Sequence, residues 1–302
     1  MSASRASRPA AAERSEIVDT DTASAAPSIP ASEMGRLLEL IRGADSVELK
    51  LTVPASDQRA SIARLPMDPV EAQPRQVFFF DTPDLALNQA GVVVRARRRQ
   101  GGRGDTVVKL RPVVPADLPS AIRRSPAFNV EVDALPGGFV CSGSMKGRVT
   151  GQEVRDAVAG ALPLRKIFTR EQRAFYKEHA PAGIGLESLV TLGPTFILKA
   201  VFEPKALGRP LVAEMWLYPD GSRLLELSTK CLPEEAFQVA AEARAYLASR
   251  DVPISGNQQT KTKTALEFFA AELRAKEEPP TPAARTRGPR GRFVKAGDAP
   301  GT

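Results

Sequence analysis

Charged side chains recur at every second position in several extended segments of this 302-residue sequence. The residues between the two members of each pair are apolar. Four pairs show this spacing: Glu48 and Lys50, Arg95 and Arg97, Lys109 and Arg111, and Glu131 and Asp133. Because successive side chains of a strand point to opposite faces, both members of a pair project from one face. For any single pair, the ordinary interpretation is a sheet whose polar face lies in water.

Taken together, the four pairs favour an enclosed charged face. Basic residues dominate the middle strands and carboxylates the outer ones, although like charges on neighbouring strands repel each other. A sheet closed with this face inward would form a tunnel, which is costly unless a highly charged anion and a metal ion fill it. A polyphosphate fits, because guanidinium groups bind phosphate oxygens in a fork and lysine supplies a point charge. Carboxylates would then hold Mg²⁺ or Mn²⁺.

Composition excludes several other classes of protein. Hydrophobic residues make up 42% of the sequence, which is enough for a sizeable core, and no apolar run approaches the roughly 20 residues of a membrane span. Two cysteines and one histidine argue against a disulfide framework, a thiolate zinc site and catalysis by a histidine pair. We therefore expect a cytoplasmic protein with no membrane contact.

The formal charge of +7 is concentrated near the end of the chain. Residues 279–302 carry five basic side chains and one acidic one, and their Pro, Gly and Ala content predicts a disordered tail. A disordered leader is likewise expected over residues 1–32. Binding to nucleic acid is expected only weakly, through this basic tail, because the body has few aromatic residues for base stacking.

Between these ends, the patterns predict eight or nine strands joined mostly by hairpins, with a few helices. Such a series favours an antiparallel closed sheet. The predicted strands and extended segments cover residues 47–53, 76–80, 91–99, 106–111, 128–134, 164–177, 195–202, 211–218 and 222–230. Glycines predict a loop over residues 137–151. The main predicted helices cover residues 33–42, 152–161, 234–248 and 265–275, and Asp81 is expected to stabilise a turn.

Several motifs in this order resemble the CYTH family, also called the triphosphate tunnel metalloenzymes. Ser46-Val47-Glu48-Leu49-Lys50 is similar to the Glu-x-Glu-x-Lys strand with which those proteins open, with Ser46 in place of the first Glu. The segment 79–97 resembles the family's aromatic-Asp-Thr and Gly-x-x-x-Arg-x-Arg stretch, 108–111 its Thr-Leu-Lys strand and 130–133 its acidic strand. The resemblance covers roughly residues 45–270 and is looser in the second half.

The resemblance implies an α+β fold, an antiparallel eight-stranded β-barrel or tunnel with peripheral helices. It also implies hydrolysis of inorganic tripolyphosphate or an organic triphosphate with Mg²⁺ or Mn²⁺. Transferred onto this sequence, the residues expected to bind phosphate oxygens are Lys50, Arg95, Arg97, Lys109, Arg111, Arg173 and Lys199. Those expected to bind metal or orient the attacking water are Glu48, Glu131, Asp133, Glu214 and Glu226. Lys263 is expected to close one mouth, and Glu48, Lys50 and Glu131 to act in catalysis.

Two alternatives to hydrolysis stay open, and Ser46 bears on the first of them. Loss of a carboxylate there reduces metal binding or activity unless Asp45 compensates, and it is also compatible with a non-catalytic polyphosphate- or nucleotide-binding module. An adenylate cyclase that makes cyclic AMP from ATP would use the same fold and basic lining. The sequence does not select the group attached to the phosphates.

Overall fold

The computed structural model describes residues 31–255 and 261–277, so nearly all of the expected leader and the whole basic tail lie outside it. Nine strands are found in this part of the chain. They are β1 (Ser46–Val53), β2 (Gln73–Asp81), β3 (Val92–Arg99), β4 (Arg103–Leu110), β5 (Phe128–Leu135), β6 (Gly138–Thr150), β7 (Val190–Phe202), β8 (Leu211–Leu217) and β9 (Arg223–Cys231). The strands close into a barrel in the order β1-β5-β6-β4-β3-β2-β7-β8-β9.

The barrel departs from the expected one in strand number and in one pairing. It has nine strands, which is within the eight or nine that the patterns predict and one more than the resemblance implies. Strand β1 pairs with β5 in parallel, while all other neighbours are antiparallel. The additional strand is β6, where glycines had predicted a loop. A Cβ on Gly143 would lie 2.7 Å from a ring carbon of Phe128, and one on Gly147 would lie 2.4 Å from the amide oxygen of Gln172. These glycines therefore permit close packing within a strand.

Eight helices surround the barrel or enter it in the described residues. They are α1 (Ala31–Arg42), α2 (Gln58–Arg64), α3 (Ala86–Gln89), α4 (Ser120–Arg123), α5 (Gly151–Val158), α6 (Arg170–His179), α7 (Ala236–Ser249) and α8 (Lys261–Glu277). Single 3₁₀ turns lie at Pro69–Glu71, Pro115–Asp117, Leu164–Ile167, Leu186–Ser188 and Pro233–Glu235. None of the described helices combines the length and the hydropathy of a membrane-crossing segment.

The expected extended segment over residues 164–177 is wrong, because most of it forms α6. Thr169 caps this helix by accepting a hydrogen bond from Gln172 N, while the Gln172 side chain accepts one from Thr169 N. This reciprocal pair is a capping box, and its Thr-x-x-Gln pattern is readable in the sequence. Gln172 is fully buried and also donates to Thr106 O and Met145 O, which anchors α6 to β4 and β6.

Apolar side chains face outward from the barrel wall and pack beneath the helices. Val94, Val108 and Val130 are fully buried with Phe175 of α6 in the largest core cluster. A second cluster lies under α7, where Leu247 packs with strand residues such as Leu227. Burying side chains of this size contributes about 2 kcal/mol each. The outer wall is thus the hydrophobic core, and the charged alternate positions are left for the inside.

Helix α8 closes one end of the barrel. Its residues Ala265, Leu266, Phe269 and Ala270 belong to a third cluster that also contains Ile197, Trp216 and Leu224. By strand alternation, these last three residues share the inward face with Lys199, Glu214 and Glu226. The apolar face of α8 therefore packs against inward-facing residues and covers that end of the interior.

Candidate functional site in the barrel lumen

The charged pairs found in the sequence converge inside the barrel. On β1 and β9, Glu48 is the direct partner of Lys230, and Lys50 is the partner of Ser228. On β1 and β5, Glu48 is the partner of Asp133. Because alternation continues from strand to strand around a closed sheet, these side chains share one enclosed lumen.

Three carboxylates form a compact cluster in this lumen. Glu48, Glu131 and Asp133 each place one oxygen so that all three atoms lie within 4.8 Å of one another. Asp133 is fully buried, whereas Glu48 and Glu131 are partly exposed to the lumen. Ser228 Oγ donates a hydrogen bond of 3.1 Å to Glu48 Oε1. Negative charge at this density requires cations nearby.

Lys50 supplies the nearest cation to Asp133. Its Nζ lies 2.7 Å from Asp133 Oδ1 and 3.4 Å from Glu48 Oε2. Burial alone would lower the pKa of Lys50, but the two carboxylates outweigh it and raise this pKa well above its usual value. Lys50 therefore remains an ammonium group within the cluster.

Two more cations reach Asp133 from β4, which lies beyond β6 in the barrel, and from the residue that follows β4. Lys109 Nζ lies 3.8 Å and Arg111 Nη2 lies 3.4 Å from Asp133 Oδ2. Burial raises the pKa of Asp133, but Lys50, Lys109 and Arg111 together lower it to about 2. Burial dominates at Lys109 itself and lowers its pKa to about 8 despite the attraction of Asp133. Asp133 is thus a carboxylate near neutral pH, surrounded by three basic groups.

Glu131 is held by a different lysine, Lys230 of β9. Lys230 Nζ forms an ion pair with Glu131 Oε2 and lies 3.9 Å from Glu48 Oε2. Burial raises the pKa of Glu131, but the charge of Lys230 outweighs it and lowers this pKa. The Lys230 side chain is 52% exposed, against 17% for Lys50. Lys230 can therefore leave the cluster for solvent more readily than Lys50.

Arginines crowd the opposite wall of the lumen on β2 and β3. Arg75 is the cross-strand partner of Arg99, and Arg95 and Arg97 follow on the same face of β3. Burial, followed by the charge of Arg97, lowers the pKa of Arg95 to about 10. The Nε atoms of Arg75, Arg95 and Arg99 are buried without a hydrogen-bond partner. Such crowding of like charges is typical of a site that takes an anion.

One carboxylate lies among these arginines. Asp105 of β4 accepts a hydrogen bond of 3.0 Å from Arg97 Nε, and Arg97 Nη2 lies 2.9 Å from the same oxygen. Arg99 Nε lies 3.6 Å from that oxygen as well. Asp105 therefore holds two arginines on the lumen wall.

Glu214 and Glu226 form a second acidic group. They are direct partners on β8 and β9, and Lys199 Nζ lies 3.5 Å from Glu214 Oε1. Trp216 Nε1 donates a hydrogen bond of 3.3 Å to Glu214 Oε2. Neither glutamate belongs to the three-carboxylate cluster, the one group of this kind found among the described side chains. Metal binding by Glu214 and Glu226 stays a prediction.

Arg173 and Asp45, both named from the sequence, are not brought to the carboxylate cluster. Arg173 lies exposed on α6, where its guanidinium donates a hydrogen bond of 2.6 Å to Phe168 O, so its expected place on a lumen strand is wrong. Asp45 does not compensate for Ser46, because its carboxylate accepts from Val130 N at 2.6 Å and pairs with Arg123. The Lys263 side chain lies outside the part of the chain that the structure describes.

The structure also adds lumen residues that the sequence analysis missed. These are Arg75, Arg99, Asp105, Lys146, Arg148 and Lys230. Lys146 and Arg148 alternate with Gly147 and Val149 on β6, which is the same period-two signal as elsewhere. It was overlooked because the glycines predicted a loop. Lys230 continues the alternation of Glu226 and Ser228 on β9 and was readable in the same way.

The donor chemistry of the cluster fits a hard divalent cation. Three carboxylate oxygens within 4.8 Å of one another match the oxygen ligands that Mg²⁺ and Mn²⁺ prefer. Ser46, the partner of Glu131 across β1 and β5, offers a hydroxyl where the CYTH motif has a carboxylate. The cluster therefore offers three carboxylate oxygens to one such ion.

Solved structures with the same fold support the resemblance at the level of fold. The Hippeastrum protein HpAC1, named as an adenylyl cyclase and described as having a dominant triphosphatase activity, matches 77% of this chain and 97% of its own, with a TM-score of 0.54 and 17% identity. A Bacillus halodurans protein named as an adenylate cyclase matches 73% of this chain and 98% of its own, with a TM-score of 0.51 and 14% identity. No protein-family model matches the sequence, and no curated protein matches it significantly. At such identities, the likeness establishes the fold alone.

Proposed function

Because the chain has a CYTH-like fold, we propose that it hydrolyses a triphosphate compound inside the barrel with the help of a divalent metal ion. The observation that carries this proposal is the meeting of three carboxylates with four cations in one lumen. Lys50, Lys109, Arg111 and Lys230 all lie within 4 Å of at least one of the three carboxylates. A metal ion and a phosphate chain are the ligands that satisfy both sets together.

Phosphoryl transfer to water requires mainly positioning and charge stabilisation from the protein. A water oxygen attacks the terminal phosphorus, the bond from phosphorus to the bridging oxygen breaks, and the diphosphate leaves with the electron pair. Lys109 and Arg111 would stabilise the negative charge that develops on the phosphate oxygens. Glu131 would orient the attacking water and accept its proton, and Lys50 would keep Glu48 and Asp133 in place.

Glu48, Glu131 and Asp133 would hold the metal ion. When bound, Mg²⁺ or Mn²⁺ would neutralise charge on the phosphate oxygens and polarise the terminal phosphorus. Lys230 would turn from Glu131 toward solvent or toward phosphate, since its side chain is already half exposed.

The test is phosphate release from tripolyphosphate, thiamine triphosphate, ATP and GTP, each with Mg²⁺ and with Mn²⁺. We expect release from at least one of them, and a loss of at least about a hundredfold in Glu48→Gln and Arg95→Gln. Glu178→Gln is the matched control, because Glu178 lies exposed on α6. Thermal unfolding of each variant verifies that it is folded.

Two outcomes would replace this proposal with one of the alternatives. Cyclic nucleotide with pyrophosphate as products would identify a cyclase, the activity in the names of both structural neighbours. Tight tripolyphosphate binding without release of phosphate at any metal concentration would identify a non-catalytic binding module.

A further inference from the structure

A large basic cavity opens from the lumen at the end opposite to the three-carboxylate cluster along β4. Its volume is about 1030 Å³, and its lining includes six cationic side chains against one carboxylate, Asp105. The cations are Arg95, Arg97, Arg99, Arg103, Lys146 and Arg148. We call Arg99, Arg103 and Arg148 the mouth arginines. The hydrolysis proposed above gives the mouth arginines no role.

The mouth arginines lie too far along the strands to serve the same three phosphates as the cluster. Lys109, which contacts Asp133, and Arg103 are six residues apart on β4, a rise of about 20 Å. Register places Arg148 beside Asp105, only two residues from Arg103. A triphosphate whose last phosphate lies at the cluster has only two bridging oxygens, so it ends before this level.

In the part of the chain that the structure describes, a helix lies across the other end of the barrel. Helix α8 covers it by packing Leu266 and Phe269 among Ile197, Trp216 and Leu224. A ligand that extends beyond three phosphates therefore finds its path on the side of the basic cavity, beside Arg103.

The part of the cavity beside the mouth arginines is better suited to bind additional phosphates than to bind a nucleoside. Arg95, Arg97 and Arg99 repeat every second residue, a spacing of about 7 Å, and each offers a fork of donors. Among the residues that line the cavity, the aromatic one is Phe128, and its ring packs against Phe175 at 5.5 Å. A base therefore lacks a stacking partner in the described lining, whereas a chain of phosphates meets guanidinium groups along its length.

We infer that the mouth arginines extend the site for linear inorganic polyphosphate of more than three phosphates. This inference rests on the proposed function, since it places one end of the chain at the carboxylate cluster. The further phosphates would run along β3, β4 and β6 and leave the barrel beside Arg103.

The test measures binding of tripolyphosphate, tetrapolyphosphate and size-fractionated linear polyphosphate, with the metal chelated and at near-physiological salt. The double variant Arg103→Gln with Arg148→Gln removes two exposed mouth arginines without disturbing the core. Arg59→Gln with Arg244→Gln removes the same charge from exposed positions on α2 and α7. The readout is the affinity for each longer chain divided by the affinity for tripolyphosphate. A substitution that weakens the binding of all phosphate chains equally leaves this ratio unchanged.

We expect this ratio to be about ten or more in the wild type and in the control, and to fall by about tenfold in the mouth variant. A ratio near one in the wild type overturns the inference but leaves the proposed function intact. The same ratio in wild type and mouth variant overturns the assignment to these arginines. Tighter binding of an RNA that carries a 5′-triphosphate than of polyphosphate overturns the ligand class. Failure to bind any phosphate chain overturns the proposed function as well.

Discussion

Lys50 Nζ lies 2.7 Å from Asp133 Oδ1, which makes this ion pair the link between β1 and β5 inside the barrel. These strands form the one parallel pair in the sheet. Asp133 is fully buried, so its charge depends on protein cations rather than on water. The same ion pair therefore bears on barrel stability and on the arrangement of the carboxylate cluster.

Lys50→Met should destabilise the protein by about 3 kcal/mol, because it leaves a buried carboxylate with one cation fewer. The measurement is urea unfolding near pH 7, with Lys177→Met on the exposed face of α6 as the control. Lys109 and Arg111 remain near Asp133 in the variant, which limits the loss. A change as small as in the control would show that these two residues suffice to balance Asp133.

The free energy of unfolding should decrease between about pH 4 and pH 2 because of Asp133. Its pKa is lowered from 3.8 to about 2, so the unfolded chain takes up a proton at a pH where the folded protein does not. The resulting stability, about 2 kcal/mol, is present above pH 4 and is lost as the pH falls toward 2. The measurement is the free energy of unfolding against pH for the wild type and for Asp133→Asn.

Asp133→Asn should be less stable than the wild type near pH 7, with a difference that shrinks as the pH falls. Glu178→Gln provides the control, since Glu178 is exposed. A constant difference across this range would assign the acid sensitivity to other carboxylates.

The charged residues of this site were predictable from the sequence in strands where polar and apolar residues alternate without an intervening glycine. Glu48 with Lys50 and Glu131 with Asp133 follow the period of two cleanly, and the structure brings both pairs together. Lys146 and Arg148 have the same period, but Gly143 and Gly147 hid it. The close packing of Phe128 and Gln172 explains why glycine occupies these two positions within a strand.

Other features required knowledge of the closed sheet. Arg75 has no charged partner two residues away in β2, and only its pairing with Arg99 places it among the lumen arginines. The parallel contact of β1 with β5 joins segments about 80 residues apart, which no local pattern indicates. The Asp81 turn, by contrast, was local and is confirmed: its carboxylate accepts hydrogen bonds from Thr82 N, Leu87 N and Asn88 N.

Asp105→Asn should increase the affinity for linear polyphosphate of more than three phosphates by roughly threefold to tenfold when the metal is chelated. The carboxylate of Asp105 competes with phosphate for Arg97 and Arg99, and the amide keeps a hydrogen-bond acceptor without the negative charge. Isothermal titration calorimetry measures the change. Asp156→Asn on α5 is the control for a unit change in net charge.

Reduced affinity in Asp105→Asn would contradict this competition. It would show that Asp105 acts by holding Arg97 in position for phosphate.

Trp216, the single tryptophan of the chain, offers an independent signal of binding through its fluorescence because it donates to Glu214 within the lumen.

Lys230→Met should increase the affinity for Mn²⁺ by roughly threefold to tenfold in the absence of phosphate. Lys230 pairs with Glu131 and approaches Glu48, two of the three expected metal ligands, so a metal ion must displace its ammonium group. Direct Mn²⁺ binding, followed by electron paramagnetic resonance, measures this without reference to activity. Lys205→Met at an exposed loop position is the control.

Ser46→Glu should act in the same direction, because it adds a carboxylate beside Glu131 on the neighbouring strand. Combined with Lys230→Met, it should tighten Mn²⁺ binding further, since one change adds a ligand and the other removes a competing cation. The contrary outcome is that neither variant changes Mn²⁺ binding while Asp133→Asn abolishes it. The ion would then bind away from Glu131. The role of Glu131 would be limited to holding Lys230 near the phosphate site.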